Sequence, residues 1–222
     1  KNNARELSRS NEELEKFAYA ASHDLRSPLR AIENLAKWTL EDGLGKLPMM
    51  CVENLSKILD RANRLSGLQS SLLEYARVGK EHSNVERISI GLLTSELSEL
   101  LDPDGVFPIT LQCEVETVVT YITPLRQILM NLVGNAIKHH DRLNGELVVA
   151  IRQSKGRLHF AVSDDGPGID PQFHERVFAL FQTLKSRDEV EGRGMGLSLI
   201  RKLVEHYGGS VKVVSNPGLQ RG

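Results

Sequence analysis

The stretch ARELSRSNEELEKFAYAASHDLRSPLRAIENL, residues 4–35, repeats its mostly apolar side chains every seven residues. The members of the two interleaved rows are Leu7, Leu14, Ala21, Pro28 and Leu35 in the first, and Ala4, Asn11, Ala18, Leu25 and Ile32 in the second. Rows that alternate at three and four residues over several heptads are typical of a helix that packs along a seam. The pattern therefore predicts a coiled coil or a helix bundle.

A second helix of the same kind follows a break at Gly43-Leu44-Gly45 and Pro48. Its two rows are Leu55, Ala62, Gln69 and Ala76, and Cys51, Ile58, Leu65 and Leu72. Two long amphipathic helices joined by a short loop predict an antiparallel hairpin. Because a single hairpin leaves one apolar face of each helix exposed to solvent, we expect two chains to form a four-helix bundle, and hence a homodimer.

The remainder of the chain mixes strand and helix patterns after a polar stretch at residues 79–86, which we interpret as a linker. The predicted strands are 109–113, 118–122, 146–153, 157–163 and a segment after Gly208-Gly209, and the predicted helices begin at Pro124, Pro171 (to Ala179) and Met195 (to Tyr207). Strands interspersed with helices predict an α+β sandwich. The expected domains are therefore a helical hairpin, residues 1–80, and a sandwich, residues 81–222.

Composition narrows the possible functions. The 222 residues include 28 basic and 29 acidic side chains, a net charge of −1, which argues against a nucleic-acid-binding surface. No apolar run approaches the roughly 20 residues of a membrane span. Cys51 and Cys113 lack metal-ligand spacing and are expected to be reduced and buried, which favours a cytoplasmic setting. From the sequence at its two ends, we expect the chain to be a fragment of a longer protein.

His23 falls on the helix face that points away from the seam. Alone, such a histidine indicates an ordinary solvated side chain. However, Asp24 follows directly and can accept a proton from one imidazole nitrogen, which leaves the other nucleophilic. Pro28 removes a backbone donor and favours a bend. The stretch Ser22-His-Asp-Leu-Arg-Ser-Pro-Leu29 resembles the H box of sensor histidine kinases.

In that family the matching histidine accepts the γ-phosphoryl group of ATP, and the acidic residue after it assists as a base. The resemblance therefore implies that His23 is the phosphoacceptor and Asp24 its base. Members that also act as phosphatases often carry Thr or Asn four residues after the histidine. Ser27 occupies that place here, which leaves phosphatase activity open.

Two asparagines lie one turn apart on the helix that begins at Pro124. Asn131 and Asn135 are either surface amides or, since an amide oxygen is a hard ligand, partners for Mg²⁺ beside a triphosphate. Asn131-Leu-Val-Gly-Asn-Ala-Ile-Lys138 resembles the N box of the same family, whose second asparagine holds magnesium. This implies Asn135 as the metal ligand, with Asn131 and Lys138 in the site. His139 and His140 either reach the nucleotide or are solvated.

The segment Asp164-Asp-Gly-Pro-Gly168 follows a predicted strand. Its dipeptides are those of a simple β-turn, but closely spaced glycines also let the backbone approach a ligand. The segment resembles the G1 box of the family. That resemblance implies that Asp164 accepts the adenine amino group and that Gly166 and Gly168 shape the turn around the base.

Phe178 and Phe181 have helical spacing, which alone indicates core packing, and they resemble the F box at the root of the lid over ATP. The lid itself is expected at residues 183–191. Next, Gly192-Arg-Gly194-Met-Gly196-Leu197 opens a helix, and a glycine-rich helix start is an anion site. A dinucleotide fingerprint would require a preceding strand, which residues 185–191 do not provide. The segment resembles the G2 box, which places Gly192, Gly194, Gly196 and Leu197 at the nucleotide.

Together the five motifs occur in family order between Leu7 and Val214. The resemblance implies a Bergerat-type ATP-binding domain that uses ATP and Mg²⁺, and phosphotransfer to the receiver domain of a response regulator. It also implies an upstream sensor domain outside this chain and a last strand that lies beyond Gly222 or is missing.

Two other classes stay open at this point. ATP-driven conformational machines such as DNA gyrase and heat-shock chaperones share the nucleotide fold. They use a glutamate base about one turn before the magnesium asparagine, where this chain has Asn131. The other class is a degenerate kinase that serves only as a dimeric scaffold. The signal sensed, and whether transfer runs within or between chains, cannot be read from the sequence.

Overall fold

The computed structural model describes residues 24–80, 84–184 and 194–215. The chain divides into two compact units, residues 1–78 and residues 79–222. The described part of the first unit is helical, and the second unit contains all the strands found in the described residues. None of the described helices combines the length and the apolar character that a membrane crossing requires.

The first unit contains the predicted hairpin. Helix α1 covers residues 24–42, and helix α2 covers Met49–Arg77. The turn between them requires Gly43, since a Cβ there would lie 2.5 Å from Leu47 Cγ. The Ser66 hydroxyl donates a 2.5 Å hydrogen bond to the Glu33 carboxylate and ties the two helices together.

Small side chains fill the inside of the hairpin, while much of the predicted seam stays outside. Ala36, Ala62 and Ala76 are buried. By contrast, Ile32 and Leu35 of α1 remain 45% and 60% exposed. A groove between the helices is lined by Leu29, Ile32, Asn54, Lys57, Ile58, Arg61, Ala62 and Leu65. A single chain therefore leaves an apolar face of the hairpin uncovered.

The second unit contains two small sheets. Strand β1 (Val85–Ser89) pairs antiparallel with β3 (Thr117–Tyr121). The other sheet has the order β2-β4-β5, from Ile109–Cys113, Leu147–Ser154 and Arg157–Asp164. Strand β2 runs parallel to β4, and β4 runs antiparallel to β5. The hairpin turn between β4 and β5 is made by Lys155 and Gly156, both with positive φ.

Three helices accompany these strands: α3 (Ile90–Leu101), α4 (Ile122–His139) and α5 (Gly196–His206). Alternate residues of β4, namely Leu147, Val149 and Ile151, are fully buried, as a strand with one covered face requires. Leu129 and Val133, one turn apart on α4, are fully buried in the same core. The predicted α+β sandwich is confirmed, with its sheet divided in two.

Several predicted elements were wrong. Residues 171–179 form two short 3₁₀ turns, Pro171–Phe173 and Arg176–Phe178, instead of one helix. The ring of His174 contacts the Ile169 carbonyl at 2.9 Å, and Ala179 is extended, so the helical run is interrupted and stopped. Residues 209–215 form no strand, because they make no ladder of hydrogen bonds with a neighbour.

Two further expectations also failed. Strand β1 begins at Val85, inside the predicted linker, because a short alternating run pairs with β3 far along the chain. Cys51 and Cys113 are free thiols, as expected, but both are exposed. Each lies on the outer side of its element, which burial statistics for cysteine do not foresee.

The loop from α3 to β2 is held by one buried carboxylate. Asp102 is 6% exposed, and its two oxygens accept the backbone N–H groups of Val106 at 3.0 Å and Phe107 at 2.8 Å. Phe107 is buried, so its N–H has no access to water in the folded chain. Asp102 therefore satisfies a donor that would otherwise be orphaned.

We expect Asp102→Ala to destabilise the second unit by about 1–3 kcal/mol, because it leaves the Phe107 N–H buried and unpaired. The matched control is Asp104→Ala, an exposed carboxylate in the same loop, which should change stability by less than about 0.5 kcal/mol. Urea unfolding followed by far-UV circular dichroism measures both. Equal midpoints for the two variants would contradict this role of Asp102.

Candidate functional site

Helix α4 divides its side chains between the core and a polar face. Asn131 and Asn135 are half-buried and lie on the face opposite Leu129 and Val133, because two residues correspond to about 200° around a helix. Asn131 Nδ2 donates to the Gln127 carbonyl at 2.9 Å, which fixes the orientation of the amide. Its oxygen Oδ1 is thereby directed away from the helix backbone.

The start of α5 lies against this polar face. A Cβ added to Gly196 would be 2.9 Å from Asn131 Oδ1 and 3.5 Å from Asn135 Nδ2. Only glycine leaves the approach open, so Gly196 brings the first turn of α5 beside both asparagines. Met195, the N-cap residue, makes no side-chain hydrogen bond to this helix start, and the first turn contains no acidic residue. Its N–H groups and positive dipole end suit an anion.

Leu197, the next residue of α5, is half-buried in that first turn. Gly194 precedes the helix with φ +64, and a Cβ there would lie 2.8 Å from the Gln182 carbonyl oxygen. The backbone entering α5 is therefore packed against the segment that contains Phe181. Phe181 itself has φ +62, an unusual conformation for a large side chain, and is 46% exposed, whereas Phe178 is buried. Gly192 and most of the predicted lid lie outside the described residues.

The turn after β5 carries the predicted acidic residue. Asp164 ends β5, and its Oδ1 accepts the Gly166 N–H at 2.9 Å. A Cβ on Gly166 would lie 2.6 Å from the same oxygen, so glycine is required for the turn to close on the carboxylate. Gly168 has φ +71, which also favours glycine. The motif is thus a turn built around its own aspartate.

The two histidines at the end of α4 differ. Lys138 and His139 lie in the last helical turn and are exposed. The side chain of His140 is fully buried, and its Nε2 lies 3.1 Å from Asp165 Oδ1. The sequence left His140 either solvated or at the nucleotide, and the solvated alternative was wrong because its ring is buried. No periodic signal marks this contact, because it joins residues 25 positions apart.

Asp165 is held by four hydrogen bonds from three donor groups. Its Oδ1 accepts the backbone N–H of Glu146 at 2.7 Å and lies 3.1 Å from His140 Nε2. Arg142 Nη2 donates to its Oδ2 at 2.5 Å and to its carbonyl oxygen at 2.6 Å. The Glu146 hydrogen bond is the main cause that lowers the pKa of Asp165 from 3.8 to about 2, with His140 and Arg142 adding to it against the opposing effect of desolvation.

The predicted acceptor histidine, His23, lies outside the described residues. Asp24 is exposed at the start of the described part of α1. The structure therefore brings together Asn131, Asn135 and Gly196 on one side, and Asp164 with the end of α4 on the other. It provides no geometry for His23.

Comparison with known proteins assigns both units. Residues 13–81 match the His Kinase A (phospho-acceptor) domain, and residues 120–222 match the histidine kinase-, DNA gyrase B-, and HSP90-like ATPase domain. The first match includes His23, and the second includes α4, the β5 turn and α5. The chain belongs to the sensor histidine kinases.

Individual relatives agree with this assignment. The chain is 31% identical to the phytochrome-like protein Cph1 of Synechocystis sp., over 97% of this chain and 29% of the relative. It therefore spans less than a third of that relative's length. The structure of full-length ShkA in complex with AMPPNP matches with a TM-score of 0.70 at 25% identity, over 90% of this chain and 43% of ShkA.

A third match concerns the fold alone. The histidine kinase ThkA, solved in complex with the response regulator protein TrrA, has a TM-score of 0.62 at 22% identity, over 95% of this chain and 60% of ThkA. The order of a helical hairpin followed by an α/β unit is thus shared with solved histidine kinases.

The lowered pKa of Asp165 predicts a pH-dependent contribution to stability. Its hydrogen bonds favour the ionised carboxylate, so they stabilise the folded chain above about pH 4 and are lost as the pH falls towards about 2. We expect the difference in urea midpoint between the wild type and Asp165→Asn to be constant above about pH 5. The difference should shrink below about pH 4, where the wild-type carboxylate becomes protonated. A difference that stays constant to about pH 2 would contradict the prediction.

Proposed function

We propose that this chain is the autokinase portion of a sensor histidine kinase, which transfers the γ-phosphoryl group of ATP to His23 and then to an aspartate of a response regulator. The observation that carries the proposal is the uncapped start of α5 beside the two asparagines of α4. The ATPase match over residues 120–222 and the likeness to ShkA, solved with an analogue of ATP, support nucleotide binding.

The triphosphate would lie between α4 and the first turn of α5. The N–H groups of Gly196 and Leu197 offer hydrogen bonds and the positive end of a helix dipole. Lys138, in the last turn of α4, adds a positive charge on the same helix, and His139 lies beside it. Gly194 keeps the entry to α5 close to Phe181, at the end of the lid segment.

Magnesium suits the amide oxygens of this site. Mg²⁺ prefers hard oxygen ligands and usually retains water and phosphate oxygens in its shell. Asn135 would supply the protein ligand, with Asn131 directed to the same space by its hydrogen bond to Gln127. When bound, the ion supplies charge neutralisation for the phosphates. An amide ligand would hold the ion without adding a negative charge beside the phosphates.

Adenine specificity is assigned to Asp164. Its Oδ1 is engaged by the Gly166 N–H, so Oδ2 is the oxygen that the turn offers to a base amino group. A charge-assisted hydrogen bond of this kind is worth about 1.5–3 kcal/mol when desolvated. Gly166 and Gly168 allow the backbone to curve closely around the ring.

The transfer step uses the two residues of the H box. One imidazole nitrogen of His23 forms a bond to the γ-phosphorus as the bond from that phosphorus to the bridging oxygen of ADP breaks. The proton on the other ring nitrogen passes to the Asp24 carboxylate, so ADP leaves with the bridging electron pair. The phosphorylated His23 ring then transfers its phosphoryl group to the receiver aspartate of the response regulator. Asn131 occupies the place of the hydrolytic glutamate in related ATPases, which favours transfer over hydrolysis.

The mutation His23→Gln should abolish labelling by γ-labelled ATP and Mg²⁺, because glutamine has no nucleophilic ring nitrogen. ADP affinity should change by less than about twofold, since His23 belongs to the phospho-acceptor domain match and not to the ATPase match. His159→Gln, an exposed histidine on β5, should label normally. The label should be lost in acid and retained in alkali, as expected for phosphohistidine. Full labelling of His23→Gln would mean that another residue accepts phosphate.

The mutation Asn135→Asp should lower the labelling of His23 by about 100-fold or more, because a carboxylate repels the phosphates and displaces Mg²⁺ from its bridging position. Metal-free ADP affinity should fall by less than about threefold. Asn84→Asp introduces the same charge at an exposed position outside α4 and should label normally. If Asn135→Asp labels normally but loses metal-free binding, Asn135 is structural and Asn131 becomes the candidate ligand.

The exposed face of the hairpin is assigned to a second copy of the chain. Ile32 and Leu35 belong to the heptad rows of the sequence and are exposed in the single chain. We expect the chain to sediment as a dimer and the double variant Ile32→Glu with Leu35→Glu to sediment as a monomer. The control is Leu92→Glu with Leu100→Glu, which are 69% and 62% exposed on α3. A double variant of the hairpin that remains dimeric would contradict the assignment.

A further inference from the structure

His140 is a buried imidazole that the proposed transfer chemistry does not use. Its side chain has no exposed surface, and the edge of its ring faces Phe107, with the ring centroids 5.1 Å apart. Phe107 is itself fixed by its N–H bond to Asp102. The ring is thus anchored from the core side, at the point where α4 ends.

Both ring nitrogens have partners. The backbone N–H of Arg142 donates to Nδ1 at 3.1 Å, so in the neutral ring the proton lies on Nε2, which donates to Asp165 Oδ1 at 3.1 Å. Asp141 Oδ1 lies 3.5 Å from Nδ1, within reach of a protonated ring. Because both nitrogens are engaged, the ring cannot rotate without breaking a contact to the loop or to the turn.

The partner of His140 is the residue next to Asp164. Asp165 also binds the N–H of Glu146 and the guanidinium of Arg142, both from the segment that joins α4 to β4. We define His140, Arg142, Glu146 and Asp165 as the clamp. Through Asp165 the clamp fixes the backbone that follows Asp164, while the N–H of Gly166 fixes the Asp164 carboxylate.

Two glycines show how closely the clamp fits beneath the turn. A Cβ on Gly145 would lie 2.5 Å from His140 Nε2 and 2.7 Å from Asp165 Oδ1. A Cβ on Gly166 would lie 3.3 Å from the Cδ2 atom of His140. The imidazole is therefore in direct contact with the turn that holds Asp164.

We propose that His140 is a positioning residue for base specificity: through Asp165 it holds Asp164 where its carboxylate can accept the amino group of adenine. This inference rests on the proposed function, and it adds the residue on which selection of a 6-amino purine depends. A hydrogen bond to a base tolerates displacement of only about 0.5 Å before its geometry is lost. The hydrogen bond from Gly166 to Asp164 within the turn would not by itself restrain the Asp164 carboxylate so tightly.

The test compares ADP with IDP, whose base carries a carbonyl oxygen in place of the 6-amino group. Titration calorimetry on the full chain should find that the wild type prefers ADP by about tenfold or more. In His140→Ala the preference should fall to about threefold or less, with IDP affinity nearly unchanged. A merely structural role would weaken ADP and IDP by the same factor and leave their ratio intact.

A conservative variant of His140 and a control variant at a distant histidine test whether the effect is specific to the His140 ring. The amide nitrogen of glutamine can take the place of Nε2, so His140→Gln should keep the preference for ADP within about 1.5-fold of the wild type. His159→Ala, on the exposed side of β5, should leave the ratio unchanged. Because His140 acts through Asp164, the double variant Asp164→Ala with His140→Ala should match Asp164→Ala alone.

The outcomes distinguish failure of the proposed role of His140 from failure of the proposed nucleotide site. If Asp164→Ala removes the preference and His140→Ala keeps it, the role of His140 is overturned while the nucleotide site stands. If the wild type binds no ADP, or if Asp164→Ala keeps the preference, both are overturned. If a thermal melt shows that His140→Ala does not fold, Arg142→Ala is tested in its place, because the Arg142 side chain is 50% exposed and its loss should leave the fold intact. The preference of Arg142→Ala for ADP over IDP should be about threefold lower than that of the wild type, and an unchanged preference overturns the proposal.

Discussion

The burial of one face of α4 is the constraint on which the nucleotide unit depends. Leu129 and Val133 are fully buried in the core with the alternate residues of β4. Because the helix is fixed by that face, its opposite face is fixed too, and Asn131 and Asn135 must emerge towards the start of α5. Burying each large aliphatic side chain contributes about 1.5–3 kcal/mol, which sets the helix rotation firmly. The polar face costs little, because its amides are only half-buried and Asn131 Nδ2 is hydrogen-bonded to the Gln127 carbonyl.

The same helix also reaches the turn after β5. Its last residues lead into a loop whose Glu146 N–H and Arg142 side chain converge with the His140 ring on Asp165. The end of α4 and the turn after β5 are therefore linked by a short path of hydrogen bonds. Such a path would hold the proposed phosphate and adenine contacts in a fixed relation, as in-line transfer and base selection both require.

The hairpin solves a different packing problem. Alanine and glycine inside it allow α1 and α2 to approach closely, while Ile32, Leu35, Ile58 and Leu65 remain exposed. Gln69 of α2 is buried, and its Nε2 has no hydrogen-bond partner in the described part of the chain. An apolar surface of this length is stable in water when another copy covers it.

Much of the architecture could be predicted because it depends on local periodicity. The heptads predicted the hairpin, the alternation in β4 and β5 predicted the sandwich, and Gly196 and Gly166 marked close approaches of the backbone. Sequence motifs were also enough to identify the family. Two of the elements that failed depend on distant partners: β1 exists only because it pairs with β3, and residues 209–215 form no strand because no strand among the described residues pairs with them.

The role of His140 shows the same limit at the level of the site. By sequence alone, it was one of two adjacent histidines at a helix end, and nothing in its spacing distinguished it from His139. Only the tertiary structure buries its ring and places its Nε2 against Asp165. The sequence by itself determined which side chains are available and which helix faces they occupy. The pairing of residues far apart in the chain was decided by folding, because hydrogen bonds between loops follow no sequence period.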